Sequence, residues 1–570
     1  MRSFPIASWA LLALTVCVHG QSVSNYTNPI IPGWHSDPSC VFVPELEDTF
    51  FCATSTFLVF PGIPIYASKD LINWKLVSHA WNRESQLPGV LEKASSAQNG
   101  IYAPTLRYND GTFYVVTTFI YEKNQGTVFK TIDPYVDGEW SDPVLFEGAA
   151  IDPDLFWDDD GTVYLTSQGV ILQNIDLETG ETTEPVNIWE GTGGIWPEGP
   201  HMYKKDGYYY LMIAEGGTNA GHSETIARST NISGPFESYE NNPILSATDE
   251  YFQTVGHADL FQDADGNWWG VALSTRCGTT FHDYPMGRET VLFPVTWEEG
   301  EWPILGEVHG NMNGPLPLPN RNIERGEGIF IDEPDVVDFE PGSSIPAHFV
   351  YFRAPNNGSF AISDASYPNT LRITPSQANL TGSAEFTGWD GLSFISRRQT
   401  DTLFTFSTDL FFSPVSADQE AGATVFIAQS QHIDLGVIDT TQEGGAPSLR
   451  LRCTGTGTAD PASIPAETTI PIPSSWFDEN DGIAARLQIQ AVNETHYELS
   501  AMPIGEDEEE DLSEERVLLG LAPSALVSGG EGTFTGALVG VYATCNGAED
   551  CGVDAYFGRW RYEPQGQVIE

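Results

Sequence analysis

Short apolar and aromatic runs separated by polar turns fill most of the chain. Runs such as TFYVVTTF, TVYLTSQG, YYYLMIAEGG and NWWGVALST are rich in β-branched and aromatic residues, and each stands at or just after a turn with glycine. Runs of this kind predict β-strands, whereas segments with a helical period are scarce. The pattern therefore predicts an all-β chain.

Five of the predicted strands begin with similar residues. They are Asp37-Pro-Ser-Cys-Val-Phe, Ala103-Pro-Thr-Leu-Arg-Tyr, Asp152-Pro-Asp-Leu-Phe-Trp, Gly199-Pro-His-Met-Tyr-Lys and His257-Ala-Asp-Leu-Phe-Gln. The unit recurs every roughly 50 to 65 residues, which leaves room for four strands in each. Five such units arranged radially predict a five-bladed β-propeller. A solenoid is the alternative, although its repeats are usually shorter.

The predicted propeller is followed by a second domain. We expect the propeller at 21–320, with its strands from about residue 24, and a linker at 321–335 after the proline-rich stretch Asn313–Pro319. From 336 to 570 short strands alternate with polar turns, which predicts an antiparallel β-sandwich.

The N-terminus indicates export. Residues 1–20 combine Arg2, an apolar run and small residues near Gly20, which is typical of a secretory signal peptide. No later segment has the roughly 18 unbroken apolar residues of a membrane helix. Five N-x-S/T sequons agree with a secreted glycoprotein, at Asn25, Asn231, Asn357, Asn379 and Asn493. We expect an extracellular monomer.

The net charge limits the expected binding partners, and the cysteine content bears on the redox compartment. The net charge of −54 would repel phosphate backbones and anionic lipids, so neither nucleic acid nor membrane is expected as a partner. The acidic run 506–511 is predicted to be a solvated loop. In an oxidising compartment we expect the disulfides Cys545–Cys551 and Cys40–Cys52, whereas the pairing of Cys277 and Cys453 stays open.

Three acidic residues are expected around the propeller channel. The first strand of each unit lines the channel, so Asp37 and Asp152 face one cavity. His257 stands at the same register, and Glu198 stands one residue before that register in its own unit. Glycosidic bond cleavage needs one protonated carboxyl and one ionised carboxylate, and a third acid can raise the pKa of its neighbour. Either aspartate alone is equally well explained as an Asp-Pro turn.

Ordered motifs make the chain resemble family 43 of the glycoside hydrolases. They are NPIIPGWHSDPSCVF, IDPDLFWDDDG, WPEGPHMYKKDGYYYL, GHADLFQDADGNWW, STRCG and MGRETVLFPVTW, and later SFISRRQT, EAGATVFIAQSQHIDLGV and AYFGRWRYEP. The last three resemble the β-sandwich behind the propeller of xylosidase-like members. The resemblance thus covers nearly the whole mature chain.

The resemblance implies roles for particular residues. It implies Asp37 as general base, Glu198 as general acid, Asp152 as the modulator of the acid's pKa, and hydrolysis with inversion. His257 resembles the axial histidine that helps hold a water or metal ion, and Arg276 resembles a sugar-binding arginine. The expected substrate-binding residues are Trp34, His35, Tyr102, His257 and Arg276. No cofactor is required, although the resemblance allows a structural calcium ion in the channel.

Three functions remain open. The first is an exo-acting α-L-arabinofuranosidase on plant cell-wall arabinoxylan, and the second is a β-D-xylosidase on xylooligosaccharides. Both would use the same triad, because a pentofuranose and a pentopyranose can present similar hydroxyls to one small pocket. The third is a sugar-binding propeller without turnover. It is disfavoured because a binding protein has no need to hold three acids together against their repulsion.

Overall fold

The computed structural model of the chain describes residues 23–88, 94, 97–121, 123–148, 150–364, 367–382, 391–439, 447–456, 464–477, 482–505, 513–548 and 551–570. The signal segment 1–20 and the acidic run 506–511 lie outside these ranges, so both stay predictions. The ordered elements within the ranges are β-strands and short 3₁₀ turns. None of the described residues forms a helix long and apolar enough to cross a membrane. The all-β prediction is confirmed.

The first half of the chain forms β1 (Ser24–Thr27) and then five antiparallel sheets in chain order. The first contains β2 (Ser39–Val43), β3 (Thr49–Ala53), β4 (Gly62–Ser68) and β5 (Lys75–Trp81). The second contains β6 (Gly100–Ile101), β7 (Thr105–Asn109), β8 (Thr112–Ile120), β9 (Asn124–Thr131) and β10 (Val144–Phe146). The third contains β11 (Asp154–Trp157), β12 (Val163–Ser167), β13 (Ile171–Asn174) and β14 (Val186–Asn187). The fourth contains β15 (Glu198–Lys205), β16 (Tyr208–Glu215), β17 (Ser223–Ser229), β18 (Glu237–Ser238) and β19 (Leu245–Ser246). The fifth contains β20 (Phe252–Gln262), β21 (Trp268–Arg276), β22 (Arg288–Thr296) and β23 (Ile304–Leu305).

The five sheets close into a ring. Their innermost strands, β2, β7, β11, β15 and β20, contact one another in that order, and β20 contacts β2. The N-terminal strand β1 pairs antiparallel with β24 (Asn311–Gly314), which follows the fifth sheet, so the start of the ring is fastened to its end. The first half of the chain is therefore a β-propeller.

The inner strands align their side chains in layers along the channel. Asp37 and Asp152 stand just before β2 and β11, at the repeat position that Gly199 and His257 occupy within β15 and β20. Two residues further on, Ser39, Asp154, His201 and Asp259 form the next layer, because alternate residues of a strand point to the same side. The prediction that equivalent repeat positions converge thus yields two stacked polar layers.

The second half of the chain forms two packed sheets, which agrees with the predicted sandwich. The chain-order strands are β25 (Asp335–Val337), β26 (Phe360–Asp364), β27 (Tyr367–Ile373), β28 (Phe394–Arg398), β29 (Leu403–Phe412), β30 (Glu420–Ala428), β31 (Gln431–Asp439), β32 (Pro447–Gly455), β33 (Thr468–Pro471), β34 (Ile483–Asn493), β35 (His496–Pro503), β36 (Val517–Pro523), β37 (Leu538–Thr544) and β38 (Ala555–Gly566). One sheet has the order β26-β27-β38-β29-β34-β35-β36, with β25 beside β38, and the other has the order β28-β37-β30-β31-β32-β33.

Short 3₁₀ turns join some of these strands. They are Pro44–Leu46, Glu84–Gln86, Asp137–Glu139, Ser474–Trp476, Ser513–Glu515, Ser524–Val527 and Gly530–Gly532.

The two sheets of the sandwich differ in burial. Strand β34 alternates buried and half-buried residues, as expected when one face of a sheet meets the core. Strands β30 and β31 are buried at every position. One face of their sheet packs on the other sheet, and aromatic residues such as Phe394 and Phe426 pack with Phe57 and Trp34 of the propeller in one apolar cluster. The sandwich is therefore fixed against the propeller over a large apolar surface.

Backbone contacts also join the two halves. The connector pairs with the edge of the first sheet, through Leu76 N to Ile329 O at 3.1 Å and Ile331 N to Trp74 O at 3.0 Å. On the far side Ala537 N donates to Pro285 O at 2.6 Å. A side chain on Gly287 would come within 2.1 Å of Thr535 O, and its φ is +62°, so this close approach requires glycine.

Both predicted disulfides are present. Cys40–Cys52 joins β2 to β3 across the first hairpin, and Cys545–Cys551 closes a short loop after β37. Cys277 and Cys453 are free thiols.

Arg107 links three side chains of the second polar layer. Its guanidinium contacts Asp154 at 2.8 Å, Asp259 at 2.7 Å and His201 Nδ1 at 3.0 Å. Burial alone would raise the pKa of Asp259, but Arg107 and His201 outweigh it and hold that pKa at about 2. A buried cation thus compensates the carboxylates in the middle of the channel.

We predict that Arg107→Met lowers the free energy of unfolding by about 3 to 5 kcal/mol, because two buried carboxylates lose their cation. Denaturant unfolding at neutral pH measures this loss. Arg83→Met is the matched control, since Arg83 pairs with the exposed Asp142, and it should lose less than about 1 kcal/mol. Equally small losses in both variants would contradict the role given to Arg107.

Candidate active site

A cavity of about 470 Å³ opens at the end of the channel where the inner strands begin. Its lining combines the first polar layer with loop residues from both domains. The lining residues are Asp37, Phe57, Tyr102, Ala103, Ile151, Asp152, Gln168, Ile195, Trp196, Glu198, Gly216, Gly217, Thr218, Asn219, His257, Arg288, Thr533 and Phe534. The structure therefore brings the three predicted acids together in one cavity.

The backbone at four of the five equivalent repeat positions has the same unusual conformation. The φ angles are +53° at Asp37, +56° at Asp152, +53° at His257 and +55° at Gly199. This left-handed region is unfavourable for residues other than glycine, so non-glycine residues held there indicate a conformation maintained for function. The repeated turn is what directs equivalent residues into one layer.

Asp37 is held ionised by Arg288. Arg288 Nη1 donates to Asp37 Oδ1 at 3.1 Å, and the Ser55 hydroxyl donates to Asp37 Oδ2 at 2.7 Å. Burial tends to raise the pKa of Asp37, but the Arg288 charge and the Ser55 hydrogen bond outweigh it and lower that pKa below its ordinary value. An ionised carboxylate is the form that a general base requires.

The half-buried Glu198 and the buried Asp152 form an acidic pair. Burial and the charge of Asp37 raise the pKa of Glu198 to about 7. Burial and the Glu198 carboxyl also raise the pKa of Asp152. The Gly199 N–H donates to Asp152 Oδ2 at 3.1 Å and so favours the ionised form of Asp152. Burial and like charge thus favour the protonated form of both carboxyls, and a protonated Glu198 is the form that a general acid requires.

His257 lies beside the general-base candidate without bonding it directly. Its Nδ1 is 3.8 Å from Asp37 Oδ1. Burial lowers the pKa of His257 to about 4, so the imidazole is neutral at the pH where the acid pair titrates. A side chain on Gly199 would approach the His257 ring at 3.2 Å, which explains why the position after Glu198 is glycine.

An aromatic wall built from both domains closes one side of the cavity. The rings of Phe57 and Phe534 stack with centroids 5.7 Å apart, and Tyr102 lies 4.8 Å from Phe57. Phe534 O accepts hydrogen bonds from Arg288 Nη2 at 3.0 Å and Nε at 3.3 Å. The sandwich loop therefore shapes the wall and also fixes the arginine that holds Asp37.

The opposite rim carries two exposed apolar side chains. Ile195 and Trp196 are each 64% exposed, and they stand next to Glu198 in the chain. Glu215 anchors the loop that carries them, since it accepts from Thr192 N at 3.0 Å, Thr192 Oγ1 at 2.7 Å and Gly194 N at 3.0 Å. A fixed apolar rim beside the acid is suited to contact a sugar ring on the leaving-group side.

Three of the expected substrate-binding residues do not line this cavity. Trp34 is buried behind Phe57, with ring centroids 6.2 Å apart. His35 hydrogen-bonds Pro32 O and the Tyr66 hydroxyl. The physical reason is that this segment precedes β2 and bends, with left-handed backbone at Gly33 and Asp37, so side chains close to Asp37 in sequence do not share its direction.

Arg276 is also placed away from the cavity. It pairs with Glu289, Nε to Oε2 at 2.6 Å, and donates to Val568 O at 2.8 Å and Gln567 Oε1 at 2.9 Å. It therefore joins the fifth sheet of the propeller to the C-terminal segment. This placement corrects the expectation of a sugar-binding role.

Arg288 and Phe534 are the site residues that sequence reasoning missed. Arg288 stands in the MGRET motif and pairs across the ladder with Thr275, the residue before Arg276. The motif indicates a functional segment. Only the register between β21 and β22, however, decides that Arg288 and not Arg276 reaches the cavity. For Phe534 the sequence holds no comparable signal, because its position depends on how the sandwich docks.

The channel below the acids does not fit the calcium ion that the sequence allows. The carboxylates of Asp154 and Asp259, which could serve as oxygen ligands, already bind the guanidinium of Arg107. Among the described residues no group of three or more His, Cys, Asp or Glu side chains is arranged to hold a metal ion. Arg107 supplies the positive charge at this depth.

The arrangement can perform acid–base chemistry at one bond. A carboxylate kept ionised by Arg288 and a carboxyl kept protonated by burial face the same cavity. Two acids whose surroundings separate their pKa values in this way serve as a base and an acid. Hydrolysis of a glycosidic bond needs that pair.

Comparison with known proteins agrees with this chemistry. The family model described as glycosyl hydrolases family 43 matches residues 26–303, and the model described as the beta xylosidase C-terminal concanavalin A-like domain matches residues 336–563. The non-reducing end alpha-L-arabinofuranosidase BoGH43B of Bacteroides ovatus is 35% identical, over 92% of this chain and 92% of its own. The xylosidase/arabinosidase 43B of Humicola insolens is 31% identical, over 94% of this chain and 97% of its own.

Solved structures show the same fold over the same length. The Bacteroides ovatus structure described as Xyloglucan PUL GH43B has a TM-score of 0.79 and 33% identity, and it covers 95% of this chain and 99% of its own. The GH43 BlXynB protein of Bacillus licheniformis has a TM-score of 0.79 at 26% identity, and it covers 95% of this chain and 100% of its own. The prediction of a propeller followed by a sandwich is confirmed.

We predict that Arg288→Met shifts the pH profile of kcat/KM as a whole to higher pH. Arg288 lowers the pKa of both Asp37 and Glu198, so its removal raises both, and each limb of the profile moves upward. We expect kcat/KM to fall by roughly 10², since the base also loses its orientation. The control Thr218→Val removes the other side-chain partner of Arg288 but keeps the charge. An unshifted profile in Arg288→Met, or an equal shift in the control, would contradict this role.

Proposed function

The chain belongs to family 43 of the glycosyl hydrolases and is an enzyme that degrades hemicellulose, and from that premise we propose that it releases single α-L-arabinofuranosyl residues from arabinoxylan with inversion. The observation that carries the proposal is the pair of Asp37 and Glu198, whose pKa values are driven in opposite directions inside one small cavity. The named arabinofuranosidase of Bacteroides ovatus supports the choice of sugar.

The shape of the cavity supports action at a chain end. Its volume of about 470 Å³ suits one sugar unit together with part of the next. Phe534 and Thr533 of the sandwich line the cavity together with the propeller residues. A terminal residue would therefore enter with its glycosidic oxygen toward Glu198 and the Trp196 rim.

Each acid has a defined part in the proposed reaction. Glu198 donates its proton to the leaving oxygen, and Asp37 takes a proton from the water that attacks the anomeric carbon from the opposite face. Inversion requires these two carboxyl groups to stand roughly 6.5 to 9.5 Å apart so that the water fits between Asp37 and the sugar. When Asp152 is ionised, its negative charge favours the neutral form of Glu198 and so helps to keep the acid protonated until the substrate binds.

A β-D-xylosidase is the second candidate. It is supported by the match of residues 336–563 to the beta xylosidase C-terminal model and by the 33% identity with the beta-xylosidase of Bacillus subtilis, over 70% of this chain. Initial rates on 4-nitrophenyl α-L-arabinofuranoside and 4-nitrophenyl β-D-xyloside decide between the two. A higher kcat/KM on the xyloside would replace the first candidate by the second.

Family 43 enzymes generally need no cofactor, and we propose that no calcium ion takes part here. The guanidinium of Arg107 does in the channel what a bound cation would do, since it neutralises Asp154 and Asp259.

Secretion belongs to the same proposal. Plant cell-wall arabinoxylan lies outside the cell, and the signal-like segment 1–20 would export a monomeric enzyme to it. Four sequon asparagines, Asn25, Asn231, Asn357 and Asn493, are exposed. The fifth, Asn379, is half-buried and donates to Asn546 Oδ1. The exposed four are the ones that we expect to carry glycans.

We predict that Asp37→Asn and Glu198→Gln each lower kcat by about 10² to 10⁴, because each removes a proton-transfer group while an isosteric amide preserves packing. Release of arabinose from arabinoxylan measures the effect, and the melting temperature reports folding. Asp159→Asn is the control, since Asp159 lies in an exposed hairpin turn. Wild-type turnover in either site variant would contradict the assignment, and it would leave sugar binding without hydrolysis as the alternative.

We predict that Asp152→Asn moves the basic limb of the pH profile to lower pH. A neighbouring anion favours the neutral form of Glu198, so its removal lowers the pKa of the acid and lets it ionise earlier. Xylan-derived substrates with poor leaving groups should lose about 10² in rate, whereas an activated aryl glycoside should lose less. An unmoved basic limb with equal losses on both substrates would make Asp152 a substrate-positioning residue instead.

A further inference from the structure

A second, much smaller cavity lies where the first propeller sheet, the connector and the sandwich meet. Its volume is about 30 Å³. His35 and Tyr66 come from the propeller, Ile329 and Ile331 from the connector, and His348, Arg397, Arg398 and Thr400 from the sandwich. Unlike the catalytic cavity, it is lined by cationic groups in a protein of net charge −54.

Arg398 is the residue that makes this cavity unusual. It is only 6% exposed, and its Nε and Nη2 have no hydrogen-bond partner among the described residues. Its guanidinium carbon lies 5.4 Å from the centre of the Trp34 ring. Within the described ranges Arg398 forms no ion pair with a carboxylate, although a buried unpaired charge is strongly unfavourable.

Apart from His348 Nδ1, which has no hydrogen-bond partner among the described residues, the other polar groups of the lining already have partners. Arg397 donates to Asp335 Oδ1 at 2.7 Å and Thr400 Oγ1 at 2.8 Å. Asp335 also accepts from His348 Nε2 at 3.0 Å. Asp335 pairs with Arg397, and the charge of Arg397 also acts on Asp401. Among the described residues neither carboxylate forms an ion pair with Arg398, so its guanidinium is left without a paired anion.

His35 does not supply the missing negative charge. Its Nδ1 donates to Pro32 O at 3.0 Å, and its Nε2 accepts from the Tyr66 hydroxyl at 2.7 Å. Burial and the charge of Arg398 lower the pKa of His35, so the ring is neutral. Asp401, which lies between β28 and β29, instead accepts from Thr400 and Gln567.

We propose that this cavity binds one monovalent anion of halide size, which neutralises Arg398 and joins the propeller to the sandwich. One uncompensated charge calls for one negative charge. A volume of about 30 Å³ holds one or two water-sized groups, which suits a single halide ion. Because the lining comes from both domains, the anion stabilises the folded chain and does not bind the unfolded one.

The first test is diffraction from crystals of the whole chain grown in sodium bromide. We expect an anomalous peak in the cavity within hydrogen-bond distance of an Arg398 nitrogen. Crystals grown without halide should lack it. At saturating bromide, a cavity that holds only water, with no anomalous peak, would overturn the proposal.

The second test is thermal unfolding of the whole chain in sodium gluconate, with chloride added at constant ionic strength. Gluconate is too large for the cavity, so chloride should raise the melting temperature in a saturable way by about 2 to 4 °C. Arg398→Met keeps much of the buried stem but removes the cation, and it should lose this rise. Arg83→Met, a surface change of the same charge, should keep it. An equal rise in all three proteins would mean general salt stabilisation and would overturn the proposal.

Discussion

The register of the five inner strands determines the rest of the site. Each repeat brings one residue of the same repeat position to the channel, and three of those residues, Asp37, Asp152 and His257, share a left-handed backbone with Gly199. Because side chains alternate along a strand, the same register places Asp154, His201 and Asp259 directly below. Arg107 neutralises Asp154 and Asp259 in that layer, so the negative charge next to the three acids is already compensated.

Repulsion among buried carboxylates is the second constraint. Asp37, Asp152 and Glu198 share one desolvated cavity, and one cation, Arg288, contacts only Asp37. This asymmetry separates the pKa values, because it favours the ionised form of Asp37 and leaves burial to favour the protonated form of Glu198. Phe534 O holds the guanidinium in place. The sandwich is thus part of the catalytic arrangement, since it fixes the charge that distinguishes base from acid.

The sequence predicts the features that recur in every repeat, but it does not predict the side-chain positions that depend on tertiary packing. The fold and the shared cavity of Asp37, Asp152 and Glu198 follow from recurring strand starts, whose spacing leaves few alternative arrangements. Arg276 and Arg288 lie at the same end of neighbouring strands, and only their ladder register decides which one reaches the cavity. Phe534 is brought to the site by domain docking, which leaves no local pattern in the sequence.

The central claim is that Asp37 activates water while Glu198 protonates the leaving oxygen in a single displacement. The most direct measurement is proton NMR of the first sugar released from an α-L-arabinofuranoside, recorded before mutarotation. The account predicts that the first-formed sugar is the β-anomer, which means inversion at the anomeric carbon. First-formed α-arabinofuranose would require a covalent intermediate and carboxyl groups roughly 5 to 5.5 Å apart, and it would contradict the role of Asp37 as a base.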